Sequence, residues 1–158
     1  MARLTVLGIG NMLMSDDGLG PRLLEGVSQR RDWGDDVEFI DGGAGGLNLL
    51  NVIESAERMV VFDVAEMGLS PGEYRVVKPE QLADDTPEER VSMHDAPFIE
   101  TLKLCGRFYH SPETVTLMVV QPKVTDFGRE LSDELARSFN SLLDVAEQLV
   151  ADALGGDR

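Results

Sequence analysis

The sequence predicts a single α/β domain over residues 1–158, a three-layer sandwich with a twisted, mostly parallel central sheet of about five strands flanked by helices. Short, uninterrupted apolar runs are typical of strands that are buried on both faces of a parallel sheet. These runs alternate with amphipathic helical patterns, and that alternation favours right-handed crossovers between parallel strands. The chain has 158 residues, of which 42% are hydrophobic. This is the size of one ordinary domain with a real core.

The first half of the chain supplies three strands and two helices. The strands are predicted at Leu4–Ile9, Val37–Asp41 and Met59–Ala65. The first helix covers 20–30, where Pro21 lies in the first turn and needs no N–H partner. The second covers 47–56 and follows a glycine-rich turn at Gly42–Gly46.

The second half continues the alternation after a fourth strand at Glu73–Pro79, for which an edge position and an antiparallel direction are both open. A polar loop then runs over 81–95, and loops of that length in compact domains are usually functional or mobile. The remaining elements are predicted at Pro97–Phe108 (helix), Thr114–Pro122 (strand) and Asp133–Leu154 (helix). Ser132 is a suitable N-cap for the last helix.

Composition excludes several classes of protein and site. The formal charge is -15, so we expect no nucleic-acid partner and no membrane partner, because such a surface repels phosphates and anionic lipids. The lone cysteine, Cys105, excludes an internal disulfide framework and a cysteine-cluster metal site, and we expect it to pack in the core. The N-terminus lacks the features of a signal peptide, no apolar run could span a bilayer, and no heptad is evident. We therefore expect a cytoplasmic monomer.

Acidic residues follow the ends of the first three predicted strands. Asp16 and Asp17 follow the first, Asp41 ends the second and Asp63 closes the third. In open α/β sheets the carboxyl ends of parallel strands form the binding crevice. Asp16 is the expected cap and Asp17 the expected ligand, although composition alone does not separate two adjacent carboxylates.

His94 is the remaining candidate ligand. It precedes the helix that begins near Pro97, and the positive end of a helix dipole favours the neutral imidazole that a metal requires. Asp17, Asp63 and His94 together would form an oxygen and nitrogen site with open positions, suited to zinc, nickel or iron. The alternatives are structural: a lone histidine is usually a surface residue, and a strand-end aspartate is usually a cap or a turn former.

A nucleotide site is a weaker alternative. Gly8 and Gly10 follow the first strand, as in a dinucleotide-binding turn, but Leu13 stands where the pattern requires a third glycine. The doubly acidic loop would also repel a pyrophosphate.

Several blocks of the sequence are similar to one known family. The blocks are GIGNMLMSDDGLGPRLLE, EFIDGGAGGLNLL, MVVFDVAEMG, a loop with SMHD, and VTLMVVQP. In this order and spacing the chain resembles the nickel–iron hydrogenase maturation endopeptidases, and the first block resembles the pattern GxGNxLxxDDGxG. The resemblance implies an α/β protein that removes a C-terminal extension from a hydrogenase large-subunit precursor once nickel has been inserted.

The resemblance also implies a site and a mode of action. Asp17, Asp63 and His94 stand where family members contact the metal, and they would be both metal ligands and catalytic residues. The nickel would be presented by the precursor's own cysteines, and zinc or cadmium could replace it in the isolated protein. Asp41, Gly42 and Gly43 are candidates for substrate docking. A non-catalytic assembly factor that reads nickel loading is the main competing function.

Overall fold

The computed structural model describes residues 4–80 and 97–155. Within them, five strands form one sheet in the order β2-β1-β3-β5-β4. The strands are β1 (Leu4–Ile9), β2 (Val37–Gly43), β3 (Arg58–Val64), β4 (Tyr74–Val77) and β5 (Thr114–Val120). All pairs are parallel except β4 with β5, and β4 is an antiparallel edge strand. The predicted α/β class and mostly parallel sheet are confirmed.

Helices lie where the sequence predicts them. They are α1 (Leu19–Arg30), α2 (Leu50–Ser55), α3 (Pro97–Phe108) and α4 (Asp133–Gly155), with 3-10 turns at Ser15–Gly18 and Leu47–Leu49. The second predicted helix is therefore shorter than expected, because its first residues form one of these tighter turns. Ser132 caps α4 as predicted, its Oγ accepting the Leu135 N–H at 3.4 Å.

Strand β2 extends two residues into the predicted glycine turn. Gly43 pairs with Ile9 of β1 across an irregularity in the register, and the Gly10 N–H donates to the Gly43 carbonyl at 2.8 Å. Tertiary pairing with β1 thus continues the strand to Gly43, in a segment whose glycines indicate a turn.

The helices cover both faces of the sheet and make the predicted three layers. Helices α1 and α4 pack on one face, where Phe62 and Leu135 are fully buried. Helices α2 and α3 pack on the other face, and there Ile53 and Cys105 are buried. The Cys105 Sγ contacts the Leu50 carbonyl at 3.7 Å, as expected for a core thiol. None of the helices in the described ranges is long and apolar enough to cross a membrane.

The order of the strands places a crevice beside β1. From β1 the chain crosses to β2 on one side, whereas from β3 it continues to β4 and β5 on the other side. The connections after β1 and β3 therefore diverge, which leaves an opening at their carboxyl ends. Gly20 lets α1 begin directly on this edge, because a Cβ there would lie 2.2 Å from the Ile9 carbonyl oxygen and 2.7 Å from that of Phe62.

Candidate active site

An open cleft of about 980 Å³ occupies the carboxyl edge of the sheet. Its lining comes from the loop after β1, the end of β2 and the segment after β3. The carboxylates of the lining belong to Asp17, Asp41, Asp63 and Glu66. Three of the four strand-end aspartates that the sequence singled out, Asp17, Asp41 and Asp63, are thus brought into one cleft.

Asp17 lies in the 3-10 turn that precedes α1 and is partly exposed to the cleft. Its Oδ2 accepts the Asn11 backbone N–H at 2.8 Å. The Asn11 side chain in turn accepts the Leu13 N–H at 2.9 Å. These two bonds fix the loop so that the Asp17 carboxylate is held at the cleft.

Asp63 is the penultimate residue of β3, and its electrostatic environment is unusual. Burial raises the pKa of its carboxyl to about 7, although the Val64 N–H, which donates to Oδ1 at 2.8 Å, lowers it. The negative charge of Asp17 raises the pKa of Asp63 further, and both residues line the cleft. A pair of this kind binds a proton readily, and a cation that approaches both groups would relieve the same repulsion.

The three candidate docking residues occupy different positions. Asp41 is exposed at the cleft, and its Oδ1 accepts the Gly43 N–H at 2.9 Å. Gly43 also lines the cleft, with a φ of 54° and open space where a side chain would be. Gly42 is buried beneath them, where a Cβ would lie 3.1 Å from the Ile9 side chain. The structure therefore brings Asp41 and Gly43 to the cleft, whereas Gly42 is a packing residue.

Asp16 has a different role from Asp17 and is not a helix cap. It is fully buried. Its Oδ2 accepts the N–H groups of Lys123 and Val124 at 2.9 and 3.0 Å, and its Oδ1 accepts that of Ser132 at 2.7 Å. Burial raises the pKa of Asp16, but these backbone donors outweigh it and hold the pKa below its usual 3.8. The carboxylate ties the loop after β1 to the segment between β5 and α4.

We expect Asp16→Asn to destabilise the fold by about 1–3 kcal/mol, because one carboxamide nitrogen would face a buried N–H donor. Urea denaturation at neutral pH measures this difference. Since the folded-state pKa of Asp16 is lowered, its stabilisation is present above pH 3.8 and is lost as the pH falls through the folded value. The difference in the free energy of unfolding between the wild type and the variant should therefore decrease in acid. A difference that is the same at all pH values would contradict this role for the charge.

His94 lies outside the described residues, so its predicted place beside Asp17 and Asp63 stays a prediction. Within residues 4–80 and 97–155, no three His, Cys, Asp or Glu side chains form a group that could hold a metal ion. Pro97, the first described residue after the gap, lines the cleft.

Sequence reasoning missed two residues that line the cleft and one buried residue that holds the segment after β3. Asn11 binds Asp17, and Glu66 lines the cleft three residues after Asp63. Gln121 is buried, and its Oε1 accepts the N–H groups of Met67 and Leu69 at 2.7 and 3.3 Å. The sequence did contain one indication of this role, because Gln121 is a polar residue that directly follows the apolar run of β5.

Gly8 in β1 and Gly10 in the loop that follows serve packing. A Cβ at Gly8 would lie 2.5 Å from the Gly20 carbonyl oxygen, and one at Gly10 would lie 1.8 Å from that of Asp17. The space next to each glycine is therefore filled by backbone atoms of this chain, and no ligand can approach the glycine there. Together with the carboxylates of the cleft, this disfavours a pyrophosphate site.

Comparison with known proteins gives a consistent result. The family model HycI, hydrogenase maturation protease, matches residues 21–149. The hydrogenase expression/formation protein HupD of Bradyrhizobium diazoefficiens is 33% identical over 151 residues, which cover 95% of this chain and 79% of that protein.

Solved structures share the fold. The hydrogenase maturating endopeptidase HybD of Escherichia coli superposes with a TM-score of 0.78 at 24% identity, over 98% of this chain and 93% of that one. The NiFe hydrogenase maturation protease HybD of Thermococcus kodakarensis gives 0.71 at 28% identity, over 93% and 98%.

Proposed function

Since this chain belongs to the hydrogenase maturation protease family, we propose that it removes the C-terminal extension of a nickel–iron hydrogenase large-subunit precursor after nickel insertion. The protein is a hydrolase of the endopeptidase type. The observation that supports the metal-dependent form of this activity is that Asp17 and Asp63 line one acidic cleft. Carboxylates that share a cleft are typical ligands for a divalent cation.

In this proposal the nickel belongs to the substrate. Asp17, Asp63 and His94 contact the ion while the precursor's own cysteines hold it, so all three are metal-contacting and catalytic residues. A chain that supplies only part of the coordination is expected to bind free cations weakly, and zinc or cadmium can replace nickel in the isolated protein. The bound cation supplies Lewis acidity, which polarises a carbonyl or lowers the pKa of a water molecule.

The cleft residues of this chain prepare the site for such a cation. The Asn11 N–H holds one oxygen of Asp17 in place, and the Val64 N–H does the same for Asp63. Fixed carboxylates lose little conformational entropy when a ligand arrives. The proton that Asp63 retains up to about pH 7 is released when a cation takes its place.

Asp41 and the glycines after it form the docking side of the cleft in this proposal. The carboxylate of Asp41 is exposed and can accept hydrogen bonds from the substrate segment. Gly43 has no side chain, so a substrate backbone can approach its Cα closely. Gly42 contributes indirectly, because its packing against Ile9 keeps the turn on β1.

We place the protein in the cytoplasm, in keeping with its lone buried thiol, and we expect it to be a monomer when free. Its partner is the hydrogenase precursor.

Intact-mass measurement on a nickel-loaded precursor tests the function. The protein is mixed in separate reactions with nickel-loaded and with metal-free purified precursor, and the intact mass of the precursor is measured after each reaction. We expect the loaded precursor alone to lose a C-terminal peptide. An unchanged mass together with a stable complex would identify a non-catalytic assembly factor. Thermal protection by nucleotides, with no effect of nickel or zinc, would favour a nucleotide-binding enzyme.

A further inference from the structure

Two loops that are hydrogen-bonded to each other, one of which lines the cleft, expose apolar side chains to water. The loop after β1 contributes Met12 and Leu13, which are 40% and 50% exposed, and the segment between β5 and α4 contributes Val124 and Phe127, which are 38% and 78% exposed. We refer to these four residues as the apolar platform. A solvent-exposed phenylalanine beside other exposed apolar residues is unfavourable in water and is typical of an interaction surface.

The backbone of the platform is fixed. The Gly128 N–H donates to the Leu13 carbonyl at 2.8 Å, and the Ser15 N–H donates back to the Gly128 carbonyl at 2.8 Å. The Asp16 N–H donates to the Val124 carbonyl at 2.8 Å. These bonds join two loops that are over a hundred residues apart in the sequence. A surface whose backbone is already ordered loses little conformational entropy when it binds.

The platform is continuous with the cleft. Met12 belongs to both, since it lines the cleft together with Asp17 and Asp63. A protein substrate whose scissile segment reaches these carboxylates must therefore bring neighbouring surface over the loop that carries Met12 and Leu13. The cleft thus determines which molecule covers the platform.

The charge distribution is consistent with a protein occupant. The four platform side chains are uncharged, whereas the chain as a whole carries a formal charge of -15. Self-repulsion at that charge disfavours a second copy of this chain as the occupant. The platform can bind an uncharged apolar patch on another protein, because the burial of apolar surface does not depend on the net charge of either partner.

We propose that the apolar platform docks an apolar surface of the hydrogenase precursor next to its cleaved segment, and so contributes to substrate affinity outside the cleft. This inference rests on the proposed function and names a part of the substrate interface. Contact with the platform stabilises the bound substrate and the transition state by the same free energy. Loss of this contact therefore raises KM and leaves kcat unchanged.

Steady-state cleavage of the nickel-loaded precursor by Phe127→Ser and Leu13→Ser tests the platform from both loops. Because both side chains are exposed, each variant should keep the thermal midpoint of the wild type. We expect KM to rise about tenfold for Phe127→Ser, as for a central aromatic contact, and less for Leu13→Ser, with kcat unchanged in both.

Phe108→Ser is the matched control, because Phe108 is 67% exposed but ends α3. Helix α3 begins with Pro97, which lines the cleft, and runs for 12 residues to Phe108, so this control lies at the far end of the helix from the cleft. Its KM should equal that of the wild type.

The outcomes separate the platform from the proposed function. Failure of the wild type to cleave would refute the function itself. Cleavage with the wild-type KM in both platform variants would refute the proposal that the platform docks the precursor. A fall in kcat alone would also refute it, because it would mean that the loops only position the carboxylates. A dimer of the wild type that Phe127→Ser dissociates in sedimentation would assign the platform to a second copy instead.

Discussion

Asp63→Asn is expected to abolish removal of the C-terminal extension while making the folded protein more stable. The change removes the charge that would contact the cation, and it keeps the size of the side chain. We expect cleavage to fall by ~100-fold or more, since even partners that only orient metal ligands are worth about 10–100-fold. The intact mass of the nickel-loaded precursor after incubation measures this loss.

The gain in stability follows from the raised pKa of Asp63. The folded protein keeps the proton up to about pH 7, whereas an ordinary aspartate loses it near 3.8. Stability at this site therefore falls as the pH rises through that window, and asparagine avoids the fall because it does not ionise. At neutral and higher pH the variant should be more stable by on the order of 1 kcal/mol or more. Urea denaturation at several pH values tests the sign, and a less stable variant above pH 7 would contradict it.

Related variants separate metal contact from general loss of negative charge. Asp17→Asn should abolish cleavage as Asp63→Asn does. Glu66→Gln removes a charge from the same cleft, but it should retain cleavage because Glu66 is outside the proposed ligand set. Equal losses in all three variants would show that only the negative potential matters.

The chain's two histidines provide a similar comparison. His94→Ala is expected to abolish cleavage, whereas His110→Ala should not, since His110 is exposed and follows the end of α3. Full cleavage by His94→Ala would show that His94 is not one of the metal-contacting residues.

Gly20→Ala is expected to have the largest effect on folding. Its Cβ would lie 2.2 Å from the Ile9 carbonyl oxygen and 2.7 Å from that of Phe62. Both atoms belong to strand backbone, so the start of α1 would have to move away from the sheet. We expect a loss of ~3 kcal/mol or more in the free energy of unfolding, measured by urea denaturation.

Gly26→Ala is the control for this prediction, because it is the same change in the same helix. Its Cβ would meet only the end of the Leu143 side chain, at 2.7 Å, and that side chain can move. The gain of up to ~1 kcal/mol in helix propensity offsets the adjustment, so stability should stay within about 1 kcal/mol of the wild type. Similar losses in both variants would refute the argument from backbone contact.

Local pattern was sufficient for the type and order of the helices and strands in the described residues. The strand at Leu4–Ile9 and the helix at Pro97–Phe108 have the predicted bounds, because an apolar run between breakers and an amphipathic period are properties of adjacent residues. The alternation of strands and helices then predicted the sheet and its carboxyl edge. From that edge the sequence identified Asp17, Asp41 and Asp63 as cleft residues.

Only the folded chain distinguishes Asp16 from Asp17. The two neighbours have the same chemistry, yet one carboxylate is buried on N–H groups more than a hundred residues away and the other faces the cleft. Gly8 of β1 and Gly20 of α1 are a second case, since the need for a residue without a side chain there depends on the packing of α1 against β1 and β3. Burial, hydrogen-bond partners and the pKa of Asp63 arise from contacts between distant segments. Composition and periodicity describe neighbours along the chain, and so they contain no information about those contacts.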